Sequence, residues 1–192
     1  MDPQTAFYDS GLQLVQGQGD LKNALGSMLP IVAQLAGSDA ASLFLTDEIE
    51  RVLKPLVTFG LPESYVKLCD FVAIGDQCCG RAVQERKLWI VSDMLTDPLF
   101  SSAKQAAVDT PIRAAFSVPV IRDDGKCIGS LACHHKRPYT PTKENIDVNR
   151  TWATLIAHTL SQYEGTRIPP MSHEQSAGTP LPLLPALNLP RS

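Results

Sequence analysis

The sequence predicts an α+β fold with a central antiparallel sheet of five to six strands, covered on both faces. Two apolar runs, at 114–121 and 126–136, flank a charged turn that ends in Asp-Gly, an arrangement that indicates a β-hairpin. Neither run alternates between apolar and polar residues, so we expect both faces of the hairpin to be buried. The terminal helices should cover one face, with loops and short helices capping a pocket on the other.

The two terminal helices are predicted from their apolar stripes and N-caps. Asp20 can cap a first helix whose apolar residues fall on one stripe over 21–35. Pro30 lies inside this stripe, so we expect a kink or a split there. Thr142 can cap a long final helix with a stripe over 148–163. Each helix therefore has one apolar face to bury against the sheet.

The strands between these helices include a first hairpin, formed by 40–45 and 52–59. Pro55 argues that the second of these strands lies at an edge or carries a bulge. A further strand is predicted at 88–91. The segment from about 60 to 112 contains short helices and turns, and we expect it to fold over the second face of the sheet.

Composition and charge limit the classes of function. A chain of 192 residues predicts one domain, which we place at 20–165, with an arm or short helix at 1–19 and a disordered Pro-rich tail at 166–192. The formal net charge of −3 and the scattered Lys and Arg give no reason to bind nucleic acid. No segment approaches the length of a membrane span, and we expect a cytoplasmic protein whose five cysteines are free thiols.

A small-molecule pocket is predicted on the face of the sheet away from the terminal helices, because polar tips among apolar walls are typical of such sites. If the strands are regular, Ser117 and His135 provide hydrogen-bonding groups on its floor and Leu131 a wall. Phe100 would add a second wall, and Asp93 would act as a lid or as a ligand contact in the covering segment. The candidate ligand-binding residues are Asp93, Phe100, Ser117, Leu131, Cys133 and His135.

Several fragments share their order and spacing with a known family. Together they resemble a GAF domain over roughly residues 20 to 165. The resemblance implies a regulatory module that binds a small molecule non-covalently and signals through its terminal helices. The fragments are 60–64, 74–83, 90–93, 97–100, 116–120, and Gly129 before Leu131.

The segment 131–135, followed by Pro138, is similar to the end of the phytochrome GAF domain. In that family, residues matching Ser117 and His135 face a bilin. The rest of the signature is missing, since 108–113 carries no attachment cysteine and the bilin binders' Asp-Ile-Pro is replaced by Ser-Asp-Met. We therefore expect no covalent bilin and no other cofactor.

Cysteines and histidines raise two other possibilities. Cys133, His134 and His135, with Cys127 upstream, suggest a metal site, but neighbouring strand residues point to opposite faces and Cys127 lies about 20 Å from Cys133 at strand rise. We therefore predict no metal. Cys79 begins a predicted helix, where the helix dipole lowers the pKa of a thiol, which makes it a candidate redox sensor.

An enzyme of this fold would resemble the free methionine sulfoxide reductases, which need a thiolate nucleophile and a resolving cysteine. No cysteine lies between Cys79 and Cys127, and that span includes the segment where those enzymes carry one. We therefore predict a non-enzyme. We expect a homodimer formed through the terminal helices, and the remaining alternative function is a ligand-free interaction module that dimerises in the same way. The sequence identifies neither the ligand nor a downstream signalling protein.

Overall fold

The computed structural model describes residues 21–98 and 104–162, and within them the predicted α+β fold is confirmed. The predicted arm, the Asp20 cap and the predicted tail lie outside the described residues. The helices are α1 (Leu21–Leu35), α2 (Glu63–Leu68), α3 (Gln77–Glu85), α4 (Lys104–Asp109) and α5 (Lys143–Gln162). The strands are β1 (Ala40–Asp47), β2 (Val52–Phe59), β3 (Val72–Ala73), β4 (Trp89–Val91), β5 (Ala114–Ile121) and β6 (Cys127–His135).

The described strands form one antiparallel sheet in the order β3-β2-β1-β6-β5-β4. Both predicted hairpins are confirmed. Strand β6 lies between β1 and β5 and is covered on both faces, which explains why apolar and polar residues do not alternate along it. The register of β1 with β2 shifts beside Pro55, where Leu56 is the extra residue of a bulge, as the proline predicted. The two-residue strand β3 was not predicted, because so short a strand leaves no pattern.

The terminal helices pack against one face of the sheet, as predicted. Side chains of α1 and α5 share one buried core with apolar residues of β1, β5 and β6. Helix α1 continues through Pro30, so the proline does not split it. A proline removes one backbone hydrogen bond, and burial of the apolar stripe on both sides of it offsets that loss. The hydroxyl of Thr142 accepts a hydrogen bond from the Asn145 backbone N–H at 3.3 Å and caps α5 as expected.

The middle of the chain covers the other face, which also agrees with the prediction. A second buried cluster joins α2, α3, α4 and the residues after β4 to the sheet. Its members include Phe44, Leu53, Tyr65, Cys69, Cys78, Cys79, Met94, Ile112, Ala115 and Ala132. We call this side of the sheet the loop face, and the side under α1 and α5 the helix face. Within residues 21–98 and 104–162, no helix has the length and apolar character needed to cross a membrane.

Candidate functional site

A bulge in the β5–β6 hairpin decides which candidate residues share a face. Ile121 pairs with Cys127, but Val120 pairs with Gly129, so Ile128 is the extra residue. Beyond the bulge, Ser117 pairs with Ala132. Without it, the same turn would have paired Ser117 with residue 131. Side chains alternate between the two faces with a period of two. One added residue in β6 therefore moves each later side chain of that strand to the opposite face relative to its partner in β5.

Three of the predicted pocket residues therefore lie on the helix face. Leu131 and Cys133 are buried in the core shared with α1 and α5. The His135 ring stacks on Tyr139, with centroids 3.7 Å apart, and lies 6.1 Å from the ring of Phe116. The prediction that these three residues share the loop face with Ser117 is wrong, and the unforeseen bulge is the reason.

His134 occupies the position on the loop face that was predicted for His135. It is only 3% exposed, and its Nε2 lies 2.8 Å from the hydroxyl oxygen of Ser42. Its ring and that of Tyr65 form a T-shaped pair, with centroids 5.6 Å apart. Burial, together with the neighbouring charge of His135, lowers the pKa of His134 to about 3. The imidazole is therefore neutral, and its buried Nδ1 has no hydrogen-bond partner.

Ser117 and Cys79 meet on the same face. The Ser117 hydroxyl donates to the carbonyl oxygen of Leu131 at 3.4 Å. Burial raises the pKa of the Cys79 thiol and outweighs the opposing influence of the nearby Ser130 and Ser117 hydroxyls. The expectation of a lowered pKa at this helix start is wrong, because the thiol is desolvated.

Two further buried thiols on the loop face are also uncharged. Burial raises the pKa of Cys69 to about 12 and that of Cys78 well above its usual value. The Cys78 thiol lies 3.4 Å from the carbonyl oxygen of Trp89, to which it donates. Burial also raises the pKa of Tyr65. Thiols and phenol alike are therefore neutral at physiological pH. In the described ranges, the fully buried polar residues include no Asp, Glu, Lys or Arg.

Asp93 and Arg113 join the chain on either side of α4. The guanidinium donates to both carboxylate oxygens, at 2.8 and 2.9 Å, and this contact lowers the pKa of Asp93. The Met94 N–H donates to the Arg113 carbonyl oxygen at 2.7 Å, and Met94 and Ile112 are buried against the loop face. The Asp93 carboxylate is therefore already paired with Arg113, at the edge of the loop face. The predicted wall residue Phe100 lies outside the described residues.

The sequence pattern at His134 and His135 contained part of this information. Their opposite orientations were expected, and the structure confirms them. Which histidine faces the loops depends on the bulge at Ile128. In the described part of the chain, no three His, Cys, Asp or Glu side chains are grouped so that they could hold a metal ion.

The chain is similar to known proteins, both in its sequence and in its fold. The family model for the GAF domain matches residues 20–162. The GAF domain of an Acinetobacter phosphoenolpyruvate-protein phosphotransferase shares 16% identity over 86% of this chain and 97% of its own, with a TM-score of 0.70. The corresponding Coxiella burnetii domain gives 17% identity, coverages of 84% and 95%, and a TM-score of 0.71.

An enzyme is also among the similar structures. The free methionine-R-sulfoxide reductase of Neisseria meningitidis, in complex with its substrate, gives 18% identity, coverages of 84% and 92%, and a TM-score of 0.64. At these identities the structural likenesses show the fold alone. No curated protein sequence matches the chain.

Proposed function

Since the chain belongs to the GAF domain family of sensory and regulatory modules, we propose that it is a sensor that binds a small molecule non-covalently on its loop face. The observation that supports this proposal best is the unpartnered Nδ1 of His134, buried beneath the covering helices. A buried polar atom without a partner costs about 1–3 kcal/mol, and a ligand that hydrogen-bonds it recovers that cost.

The surroundings of His134 define how such a ligand is held. Ser42 fixes the imidazole through Nε2, and Tyr65 stands against the ring edge, so Nδ1 has a set orientation. The ring is neutral, so Nδ1 either donates or accepts, according to the tautomer that Ser42 selects. The neighbouring thiols are protonated and supply apolar contact. Hydrogen bonding and packing hold the ligand, and no covalent bond is formed.

The link to the terminal helices passes through one backbone carbonyl. The oxygen of Leu131 accepts from the Ser117 hydroxyl on the loop face, at 3.4 Å, and from the Asn149 side-chain amide of α5, at 3.3 Å. A ligand that moves Ser117 changes the hydrogen bonding of that carbonyl and hence the position of α5 against the sheet. Such a signal requires different ligand affinities in the two arrangements. Dimerisation through α1 and α5 would pass the change to a signalling partner.

Catalysis is not part of this proposal, although sulfoxide reductases share the fold. Their chemistry needs a thiolate, whereas burial raises the pKa of Cys69, Cys78 and Cys79. The same observation disfavours Cys79 as a redox sensor. The competing function is the ligand-free interaction module, in which the loop face serves only as core and the chain acts through its helices.

Native mass spectrometry of the full chain, purified without denaturation from the cells that produce it, separates these two functions. We expect a bound small-molecule mass on the wild-type protein and its loss on denaturation. Two neighbouring substitutions provide a matched pair. His134→Phe removes Nδ1 and should remove the bound mass, whereas His135→Phe changes the adjacent ring on the helix face and should retain it.

Two results would contradict the proposal. A wild-type chain that carries no additional mass and remains dimeric would favour the interaction module. A bound mass that survives in His134→Phe but is lost in His135→Phe would place the ligand on the wrong face of the sheet. Circular dichroism of both variants establishes that each has folded before its spectrum is interpreted.

A further inference from the structure

A concavity lies beside α5, along the outer edge of β5. It has a volume of about 400 Å³ and is bounded by the turn between α3 and β4, by β5, and by the middle of α5. Neither His134 nor its contacts Ser42 and Tyr65 line it. The lining residues are Arg86, Lys87, Leu88, Val118, Pro119, Ile121, Arg150, Ala153 and Thr154. We call it the β5 groove.

The groove exists because β4 is too short to cover its neighbour. Strand β4 has three residues and pairs only with residues 115–117 of β5. Among the described strands, β4 is the last in the order, and none of them lies on the outer side of β5 from Val118 to Ile121. Helix α5 passes beside this free edge and contributes Ala153 and Thr154. The floor is therefore aliphatic, made from side chains of a strand end and a helix.

The groove is rimmed by positive charge. The Arg86 guanidinium donates to the Gly125 carbonyl oxygen, a neutral acceptor that does not balance its charge. Arg150 lies 3.8 Å from an oxygen of Asp147, a carboxylate whose other oxygen is bound by Lys143. Lys87 is paired with Glu85 at 2.8 Å. Three cations thus line the groove, and within the described part of the chain no Asp or Glu does.

We propose that the β5 groove binds a small amphipathic anion, with its acidic group between Arg86 and Arg150 and a short aliphatic body on the Leu88 and Val118 floor. The volume falls within the usual range of small-molecule sites, and the charge of the rim complements an acid. A peptide adding a strand to β5 fits less well. Pro119 has no N–H to donate to such a ladder, so the free edge cannot pair regularly.

Titration calorimetry with octanoate tests the proposal on the full chain, with octanamide as the uncharged analogue of the same length. We expect octanoate to bind and the double substitution Arg86→Gln, Arg150→Gln to weaken it about tenfold, since each exposed ion pair contributes up to about fivefold. Octanamide should bind the wild-type protein about tenfold more weakly than octanoate, for the same reason.

Two controls locate the binding. Arg51→Gln removes an exposed arginine from the β1–β2 turn, away from the groove, and should leave the octanoate affinity unchanged. His134→Phe should also leave it unchanged, which separates the fate of this inference from that of the loop-face sensor. No octanoate binding, equal affinity in the double variant, equal affinity for octanamide, or loss of binding in His134→Phe would each overturn the proposal.

Discussion

His134 ties the stability of the fold to pH, because it is buried in its neutral form. The pKa is about 3 in the folded chain, compared with 6.5 for an unperturbed histidine. Between these values the unfolded state binds a proton at this residue and the folded state does not. The contribution of His134 to the free energy of unfolding is therefore fully present above pH 6.5 and is lost progressively as the pH falls toward 3. The direction follows from a lowered pKa in the folded state.

The size of the effect follows from that shift. At pH 5, which is 1.5 units below the unperturbed pKa of His134, proton linkage lowers the free energy of unfolding by about 2 kcal/mol relative to pH 8. A domain of ordinary stability has about 5–15 kcal/mol in total. Protonation of this one residue in the unfolded state therefore removes a substantial fraction of the margin.

Urea unfolding at pH 8 and pH 5 measures this loss directly. The wild-type chain is compared with His134→Gln, which cannot titrate but can still hydrogen-bond the Ser42 hydroxyl. We expect the wild type to lose about 2 kcal/mol more than the variant between the two pH values. The carboxylates and His135, whose pKa is also lowered by burial, are present in both proteins and cancel. Equal losses in the two proteins would refute the assignment of a neutral, buried His134.

Two further predictions concern packing and thiol chemistry. Gly129→Ala would bring a Cβ within 2.1 Å of the Phe44 carbonyl oxygen and should cost at least about 2 kcal/mol, whereas Gly26→Ala on α1 meets nothing closer than 3.8 Å and should stabilise by about 0.5–1 kcal/mol. Urea unfolding measures both changes. An unchanged free energy of unfolding in Gly129→Ala would contradict the close approach of β1 and β6. A charged disulfide reagent should modify half-buried Cys127 in the native chain well before Cys79, and equal rates would restore the redox-sensor alternative.

The fold could be predicted from local patterns, because hairpin turns, helix caps and apolar stripes are each contained in a short segment of sequence. The Asp-Gly turn at 124–125 located the central hairpin, and Thr142 located the start of α5. The lack of apolar–polar alternation along β5 and β6 indicated cover on both faces. The β3 strand was missed because Val72 and Ala73, which pair with β2, are too few to leave a strand pattern in the sequence.

The candidate site was harder to predict, because it depends on strand parity. Side chains alternate along β6, so a single unpaired residue near the turn decides whether His134 or His135 faces the loops. The expectation for Ser117 concerned β5 and needed no knowledge of β6. The expectation for Leu131, Cys133 and His135 required the register between the strands, and hydrophobicity could not supply it, since both faces are buried.

One residue did carry a signal for the register. Glycine inside a strand often marks a bulge or a close approach of backbone, and Gly129 marks both: it follows the extra residue Ile128, and the Phe44 carbonyl lies too near for any side chain. Shifting the register by one residue at that glycine pairs Ser117 with Ala132 and turns His134 toward the loops. The composition of the candidate site thus depends on a bulge that lies outside it, and any change that removes the bulge should exchange His134 for His135 on the loop face.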